Sequence, residues 1–227
     1  MNARLFADAA PDYTKASFPP PRPFQHTAHE ELRQGFREGH RSQALAAPTG
    51  AGKSYLGLRV AHEGLQKGRR VTFLCDRTTL INQTSAAADA YGLSAHGIVQ
   101  ANHPRRDSSL PFQIASVQTI DKREFWPQTD VLIVDECHTL HKAWVEYAAQ
   151  TKAVVIGLTA TPFTKGMGQI FSRLINATTM HDLTESGVLV PLRVLSCTRP
   201  DMAGAAVTKS GEWSDKAAEE RGMGIVG

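Results

Sequence analysis

The sequence predicts an α/β protein whose mostly parallel β-sheet carries helices on both faces. Short apolar runs of strand length alternate along the chain with longer stretches of helical periodicity, and this order of elements is typical of parallel sheets with helical crossovers. A turn rich in small residues joins the first strand to the next helix, and two acidic residues directly follow the most apolar strand. Because the ends of parallel strands meet at one edge of an open sheet, we expect a ligand site there.

The individual elements follow from apolar periodicity and from glycine and proline punctuation. The predicted strands cover residues 44–47, 71–75, 96–99, 112–115, 131–134, 153–158 and 192–196. The predicted helices cover residues 28–37, 56–67, 77–90, 140–150 and 168–175, with a shorter one near Leu183. Thr27, with Glu30 three residues on, has the form of a capping box for the first helix.

The bulk composition is that of an ordinary globular protein. The chain has 227 residues, of which 41% are hydrophobic and 21% charged, so it can bury a sizeable core without disulfides. A net charge of +3 permits a nucleic-acid partner but does not argue for one. Cys75, Cys137 and Cys197 lie far apart, which indicates reduced thiols. With no apolar run of membrane length and no signal sequence, we expect a cytoplasmic protein without a membrane partner.

The domain organisation is predicted in three parts. Residues 1–21 form an irregular lead-in that runs into the proline-rich stretch Pro19–Pro23. Residues 22–197 form the α/β domain. Residues 198–227 show little apolar periodicity and are expected to be a linker or the truncated start of a following segment.

The stretch between the first strand and the second helix has the form of a phosphate-binding loop. Gly50 and Gly52 let the backbone bend so that N–H groups point at a polyphosphate, and the following helix adds its positive N-terminal end. Lys53 can reach the terminal phosphates and the Ser54 hydroxyl can ligate Mg²⁺. A glycine-rich turn with a solvated lysine is the alternative, which the strand-to-helix position disfavours. The loop residues predicted to bind the cofactor are Pro48, Thr49, Gly50, Ala51, Gly52, Lys53 and Ser54.

A pair of carboxylates follows the strand at residues 131–134. Asp135 and Glu136 would emerge at the edge where the phosphate loop opens. Asp135 is placed to hold Mg²⁺ together with Ser54, and Glu136 is the best candidate to orient and deprotonate an attacking water. A hydrolase needs such a carboxylate more than a kinase does. The alternative is a plain acidic turn.

Three segments together resemble a known family. Ala-x-Thr-Gly-x-Gly-Lys-Ser, Asp-Glu-Cys-His and Thr-Ala-Thr occur in this order, which is similar to the first RecA-like domain of superfamily-two, DEAD/DEAH-type helicases and translocases. The Asp-Glu-x-His form resembles the branch that contains type III restriction subunits and phage helicases. Ala47, where the general loop pattern has glycine, is usual in that superfamily. The resemblance covers residues 22–197 and implies a RecA-like P-loop NTPase fold, ATP and Mg²⁺ as cofactors, and ATP hydrolysis coupled to action on nucleic acid, DNA more than RNA.

The resemblance also implies roles for residues outside the phosphate loop. Gln25 matches a glutamine that reads adenine, although a helix-capping role is an alternative. His138 is implied to make a relay hydrogen bond toward Gln25 and Thr159 rather than to bind a metal. The implied catalytic residues are Lys53, Asp135, Glu136 and His138.

Residues at three further strand ends resemble motifs that contact nucleic acid or couple it to the nucleotide. These residues are Arg77, Ser116, Gln118, Thr119, Thr159 and Thr161. Arg77 could equally be a plain surface charge, and residues 159–161 a threonine-rich turn. The two basic clusters, at 68–70 and 103–106, could lie against phosphates, but solvated loops are the expectation for both.

Members of the resembled family bind ATP between two RecA-like domains, and the sequence shows no second such domain. A second RecA-like domain, in the same or another chain, is therefore an expected partner, and alone we expect weak ATP binding and slow hydrolysis. Two other functions stay open at this point. One is a P-loop ATPase or nucleotide switch that acts on protein partners, and the other is a non-catalytic binding fragment.

Overall fold

The computed structural model describes residues 11–191, 202–206, 214, 216 and 219. Residues 11–191 form seven strands and seven helices. The strands are β1 (Ser42–Ala46), β2 (Val71–Cys75), β3 (Gly97–Val99), β4 (Phe112–Ser116), β5 (Val131–Val134), β6 (Val154–Thr159) and β7 (Arg173–Asn176). The helices are α1 (Pro23–Arg37), α2 (Lys53–Gln66), α3 (Thr78–Ala90), α4 (Val117–Arg123), α5 (Lys142–Gln150), α6 (Met167–Ile170) and α7 (Met180–Glu185).

The strands form one sheet in the order β3-β4-β2-β5-β6-β1-β7, and every neighbouring pair is parallel. The register aligns the strand ends, with Ala46 beside Thr159 and Cys75 beside Ser116. The loops that leave β1, β2, β4, β5 and β6 therefore meet at one edge of the sheet, called here the carboxyl edge. The predicted fold class is confirmed.

Both faces of the sheet are buried, and alternate residues of each strand serve alternate faces. In β5, Val131 and Ile133 belong to the core on one face, whereas Leu132 and Val134 belong to the core on the other. The first core takes apolar residues from α1, α2 and α3, and the second is closed by the fully buried Trp144 of α5. Burial on both faces explains why these strands read as continuous apolar runs.

The first helix begins earlier than predicted. Pro23 is its first residue, a position where the missing N–H of proline costs no hydrogen bond. Thr27 lies inside the helix, and its hydroxyl donates to the Pro23 carbonyl at 3.2 Å. The predicted capping box of Thr27 and Glu30 is therefore wrong.

Two further elements differ from the prediction. The helix predicted at 168–175 is wrong, because α6 ends at Ile170 and β7 then pairs with β1 along four residues. Helix α4 was not predicted. Its N-cap is Ser116, whose side chain accepts a hydrogen bond from the Thr119 N–H at 3.3 Å.

The chain divides into two compact units, residues 1–189 and 190–227. The sheet and all named helices belong to the first unit. In the second, the Ala205 N–H donates to the Met202 carbonyl at 3.0 Å. The strand predicted at 192–196 lies outside the described residues. Within the described part of the chain, no helix is both long and apolar enough to cross a membrane.

Candidate nucleotide-binding site

The loop between β1 and α2 forms a cradle of backbone donors. Gly50 and Gly52 have φ angles of 85° and 86°, in the left-handed region that favours glycine. Among the described residues, no protein acceptor is found for the backbone N–H groups of Gly50, Gly52, Lys53 and Ser54. These donors lie at the positive end of a 14-residue helix, so the loop fits the phosphates of a nucleotide.

The cradle is braced by the buried side chain of Gln25. Its Nε2 donates to the carbonyl of Ala51 at 2.9 Å, and its Oε1 accepts from the N–H of Arg22 at 2.9 Å. A Cβ atom on Gly52 would lie 2.7 Å from this Nε2. Gln25 thus caps α1 and fixes the loop backbone, while its role in reading adenine stays a prediction.

Lys53 and Glu136 face each other across the carboxyl edge. The Nζ of Lys53 lies 3.7 Å from Oε1 of Glu136, and the two side chains are 12% and 31% exposed. Glu136 has a φ of 49°, an uncommon backbone conformation for a residue with a side chain. This turn follows directly after β5, and it brings the carboxylate to the lysine of the phosphate loop. No apolar packing separates the two groups.

Asp135 is buried beside this pair. Burial, and then the negative charge of Glu136, raise the pKa of Asp135 to about 6, although Lys53 and His138 act in the opposite direction. A divalent cation at this carboxylate would offset the free-energy cost of burying its negative charge. In the described part of the chain, no three His, Cys, Asp or Glu side chains form a metal site of their own. The residues instead fit Mg²⁺ held mainly by a nucleotide, which needs only one or two carboxylates from the protein.

His138 connects the loops that follow β5 and β6. Its Nδ1 lies 3.0 Å from the Thr159 hydroxyl and 3.3 Å from Oε2 of Glu136. The same hydroxyl accepts from the N–H of Thr161 at 3.0 Å. The predicted contact between His138 and Thr159 is present, whereas the predicted relay toward Gln25 is not formed, because the Gln25 amide bonds to Ala51 and Arg22.

The residues predicted to contact nucleic acid lie on neighbouring loops of the carboxyl edge. The Ser116 hydroxyl donates to Oε1 of Gln118 at 2.9 Å, and the Thr119 hydroxyl accepts from the Ala101 N–H at 3.4 Å. Arg77 is exposed just before the first residue of α3. Ser116, Gln118 and Thr119 are therefore engaged in shaping the loops, while Arg77 faces solvent.

Sequence reasoning missed Asp76 and His141. The Nε2 of His141 lies 2.8 Å from Oδ1 of Asp76, and the Gln118 amide donates to the same Oδ1 at 2.8 Å. Asp76 thus joins the loop after β4 to the segment that follows Glu136. An acidic residue directly after β2 was a usable signal for Asp76, but nothing in the sequence pointed to His141.

The two basic clusters are not simply solvated loops. Arg105 makes a two-point ion pair with Asp89, at 2.6 and 3.0 Å, and also donates to the Ser94 carbonyl. Arg70 donates to the carbonyls of residues 108–110. Both arginines stabilise loops of this unit, whereas Arg69 and Arg106 are exposed, so the prediction of solvated loops holds for only part of each cluster.

A parallel sheet with a braced phosphate loop and a carboxylate pair at the same edge defines a nucleotide-binding domain of the RecA-like class. Residues 19–164 match the family described as type III restriction enzyme, res subunit, and the chain belongs to this family. The resemblance to a superfamily-two helicase domain is thereby confirmed. No significant match to a curated protein sequence was found.

Solved structures share the fold at low sequence identity. The UvsW helicase from bacteriophage T4 has 17% identity and a TM-score of 0.59, over 71% of this chain and 63% of that one. The Hef helicase domain of Pyrococcus furiosus has 19% identity and a TM-score of 0.57, over 69% and 37%. A third structure is a nuclease-deletion mutant of the Type ISP restriction-modification enzyme LlaGI in complex with a DNA substrate mimic. It has 19% identity and a TM-score of 0.58, over 75% of this chain and 21% of that one. The chain thus spans less than two thirds of each of these relatives.

Proposed function

We propose that the chain is the ATP-binding domain of a helicase or translocase that hydrolyses ATP with Mg²⁺ and acts on DNA. The observation that carries this proposal is the contact of 3.7 Å between Lys53 and Glu136. It joins a phosphate-binding lysine to a carboxylate in the position that a hydrolase needs for its water.

Each group at the carboxyl edge has a distinct proposed role. The backbone donors of the loop and Lys53 hold the β- and γ-phosphates. Ser54 and Asp135 hold Mg²⁺, which supplies charge neutralisation on the phosphates when it is bound. Glu136 orients the attacking water and accepts its proton. His138 keeps the Glu136 carboxylate and Thr159 in fixed positions through its contacts of 3.3 and 3.0 Å.

The proposed nucleic-acid surface is the row of loops next to the nucleotide. Arg77 is exposed and free to meet a phosphate, and the N–H groups at the start of α3 lie beside it. Thr159 and Thr161 would transmit structural changes at the nucleotide to the loops of this nucleic-acid surface. The fold neighbours include both LlaGI, solved with a DNA substrate mimic, and a protein described as a hypothetical ATP-dependent RNA helicase, so the proposed preference for DNA rests on membership of the type III restriction family.

A second RecA-like domain is the proposed partner in catalysis. The chain spans only part of its structural relatives. In phosphoryl transfer, an arginine supplied from another domain raises the rate by roughly 10³–10⁵. We therefore propose slow hydrolysis by this chain alone. The cytoplasm is the proposed compartment; in the described part of the chain Cys75 and Cys137 are buried and form no disulfide.

The experiment measures ATP hydrolysis and nucleic-acid binding by the same preparation. We expect slow, Mg²⁺-dependent phosphate release that Glu136→Gln reduces about 100-fold or more, with ATP binding retained. Glu124→Gln, on an exposed loop, is the matched control. Filter binding with single- and double-stranded DNA and with RNA of the same sequence tests the substrate.

The outcomes separate the candidate functions. Equal rates for the wild type and Glu136→Gln would mean that the chain is a non-catalytic binding domain. Hydrolysis without binding to any nucleic acid would instead favour an ATPase or switch that acts on protein partners. Tighter binding to RNA than to DNA would overturn the substrate assignment alone.

A further inference from the structure

Two cavities meet at the amino edge of the sheet, where the strands begin. The first, called here the basic groove, has a volume of about 450 Å³ and is lined by residues at or just before the starts of β1, β2, β5 and β6. The second, called the apolar hole, has a volume of about 160 Å³ and lies between α1, α2 and the sheet. Arg69, Val131 and Val154 line both cavities, so the two are adjacent.

The basic groove carries positive charge that the protein does not neutralise. Arg41, Arg69 and Lys152 line it and are exposed, against a single carboxylate, Asp130. Three cations and one anion leave the groove with a net charge of +2. Within the described part of the chain, none of these three cations forms an ion pair. The Asp130 carboxylate is itself engaged, because it accepts a hydrogen bond of 2.8 Å from the N–H of Arg70.

The apolar hole has the size and chemistry for one large apolar side chain. Its volume is below the roughly 300–1,000 Å³ of ligand pockets, but close to that of an engineered apolar cavity of about 150 Å³ that binds benzene. The apolar residues lining it are Leu32, Phe36, Val60, Val131, Val154 and Ile156. Lys67, just beyond the end of α2, adds one further cation to the three of the groove, of which Arg69 also lines the hole.

Three ionisable groups that line the hole, Glu63, Arg33 and His29, are already paired with one another. Glu63 lies 2.7 Å from Nη2 of Arg33 and 3.5 Å from Nδ1 of His29. Burial alone would raise the pKa of Glu63, but the hydrogen bonds and charges of His29 and Arg33 outweigh it and hold this pKa at about 2. The Glu63 charge is thus balanced within the wall and leaves the cations of the groove available.

We propose that the amino edge is a docking site for an acidic segment of a partner polypeptide. The segment inserts one large apolar side chain into the apolar hole and lays its carboxylates along Arg41, Arg69 and Lys152. A buried anchor within a polar rim is the usual arrangement of a protein interface, and clusters of cations recognise acidic motifs. Charge complementarity together with the hole favours this occupant over nucleic acid, whose backbone would use the groove and leave the hole empty.

The docking site is separate from the nucleotide site. A strand of four to six residues at about 3.3 Å per residue places the two edges of the sheet roughly 13–20 Å apart. The partner would therefore bind without displacing a nucleotide. The proposal does not depend on ATP hydrolysis or on nucleic-acid binding.

The experiment uses fluorescence anisotropy with defined peptides and the full chain. The probe is a labelled peptide of alternating Asp and Glu with one central Phe. Its companions carry Ala in place of Phe, or Lys and Arg in place of the acids, and an oligothymidylate of similar charge is the nucleic-acid competitor. We expect the Phe peptide to bind at least about tenfold more tightly than the Ala peptide. The basic peptide should not bind.

Variants of the protein locate the site. Arg69→Glu and Lys152→Glu are surface changes, and each should weaken binding of the Phe peptide about tenfold. Lys122→Glu, a charge reversal on exposed α4, should leave binding unchanged. Circular dichroism of each variant verifies folding, and ATP at saturating concentration should not displace the peptide.

Three results would overturn the proposal. If the Phe and Ala peptides bind with equal affinity, the acidic peptide is attracted only by the charge of the groove, and no apolar side chain occupies the apolar hole. If the Phe peptide does not bind at concentrations up to about 1 mM, its binding free energy is weaker than roughly 4 kcal/mol, which is too weak for a docking site. Displacement of the peptide by oligothymidylate, with oligothymidylate binding lost in Arg69→Glu, would make the amino edge a nucleic-acid surface instead.

Discussion

The Nε2 atom of Gln25 lies 2.9 Å from the carbonyl oxygen of Ala51. Through this bond, the helix that precedes the first strand holds the middle of the phosphate loop. The other end of the same amide accepts the Arg22 N–H, so one buried side chain fixes the entry of α1 and the shape of the cradle together. The loop is consequently preorganised before a nucleotide arrives, which lowers the entropy that binding must overcome.

Replacing Gln25 by Ala should weaken both the fold and the cradle. The change leaves the buried Ala51 carbonyl without this partner, and we expect the free energy of unfolding to fall by roughly 1–3 kcal/mol. Affinity for ATP and for GTP should fall equally if the side chain only braces the loop. If Gln25 also reads adenine, ATP should lose more affinity than GTP. Urea denaturation and nucleotide titration measure the two effects.

The matched control is Gln34→Ala in the same helix, because the Gln34 side chain is exposed and bonds only to exposed Glu38 and Arg37. It should leave stability within about 0.5 kcal/mol and nucleotide affinity unchanged. If Gln25→Ala is as stable as the wild type, the contacts of the Gln25 side chain with the phosphate loop are not needed for stability.

Stability should respond to pH through Asp135. Its pKa is raised from 3.8 to about 6 in the folded chain, so the folded state binds its proton more tightly than the unfolded state does. Wild-type stability should therefore fall as pH rises from about 4 to about 6 and then level off. Asp135→Asn lacks this ionisation, so above pH 6 it should exceed the wild type by at most about 3 kcal/mol.

Urea denaturation at several pH values between 4 and 7.5 checks the sign of this effect. Below pH 4 the two proteins should have equal stability, and addition of ATP with Mg²⁺ should stabilise the wild type more than the variant. Asp121→Asn, on the exposed side of α4, is the control. Lower stability of Asp135→Asn at pH 7.5 would mean that the buried charge is compensated in the folded chain.

Much of the fold followed from apolar runs because parallel strands covered on both faces must be apolar throughout. β5 and β6 are of this kind. β7 was missed because Ile175 is its only fully buried residue, and its pairing with β1 is a tertiary contact. α4 was missed because Val117, Thr119 and Ile120 have β-branched side chains, which favour strands. There the N-cap at Ser116 and packing against the sheet outweighed local preference.

The candidate site was predictable to the extent that sheet topology brings strand ends together. Lys53 and Glu136 lie 83 positions apart in the sequence and still meet, because β1 and β5 point the same way. The pair of Asp76 and His141 obeys the same rule, but His141 lies beyond the strand end, in a segment whose path no motif specifies. Its contact depends on how the chain leaves β5, including the left-handed turn at Glu136.

Lys53→Ala should weaken nucleotide binding while leaving the fold in place. The lysine lies 3.7 Å from the Glu136 carboxylate and is the proposed partner of the terminal phosphates, so we expect ATP affinity to fall at least about tenfold. The change in unfolding free energy should stay below about 1 kcal/mol. The variant loses the ion pair with Glu136, but it also removes the loss of side-chain entropy that holding the lysine in place requires. Lys67→Ala, at the other end of the same helix, is the control. Unaltered ATP affinity in Lys53→Ala would place the phosphates elsewhere.

Asp76 and His141 should couple the nucleotide loop to the proposed nucleic-acid surface. The Asp76 carboxylate holds both the His141 ring and the Gln118 amide at 2.8 Å, so its loss frees the loops after β2, β4 and β5 at once. We expect His141→Ala and Asp76→Asn to weaken DNA binding about fivefold, with ATP affinity unchanged. The double variant should be no worse than the worse single one, because both changes break one contact. Lys142→Ala is the control, because Lys142 is next to His141 and pairs with exposed Glu146, and it should bind DNA normally. If the losses in the double variant of Asp76 and His141 are additive, the two residues act separately.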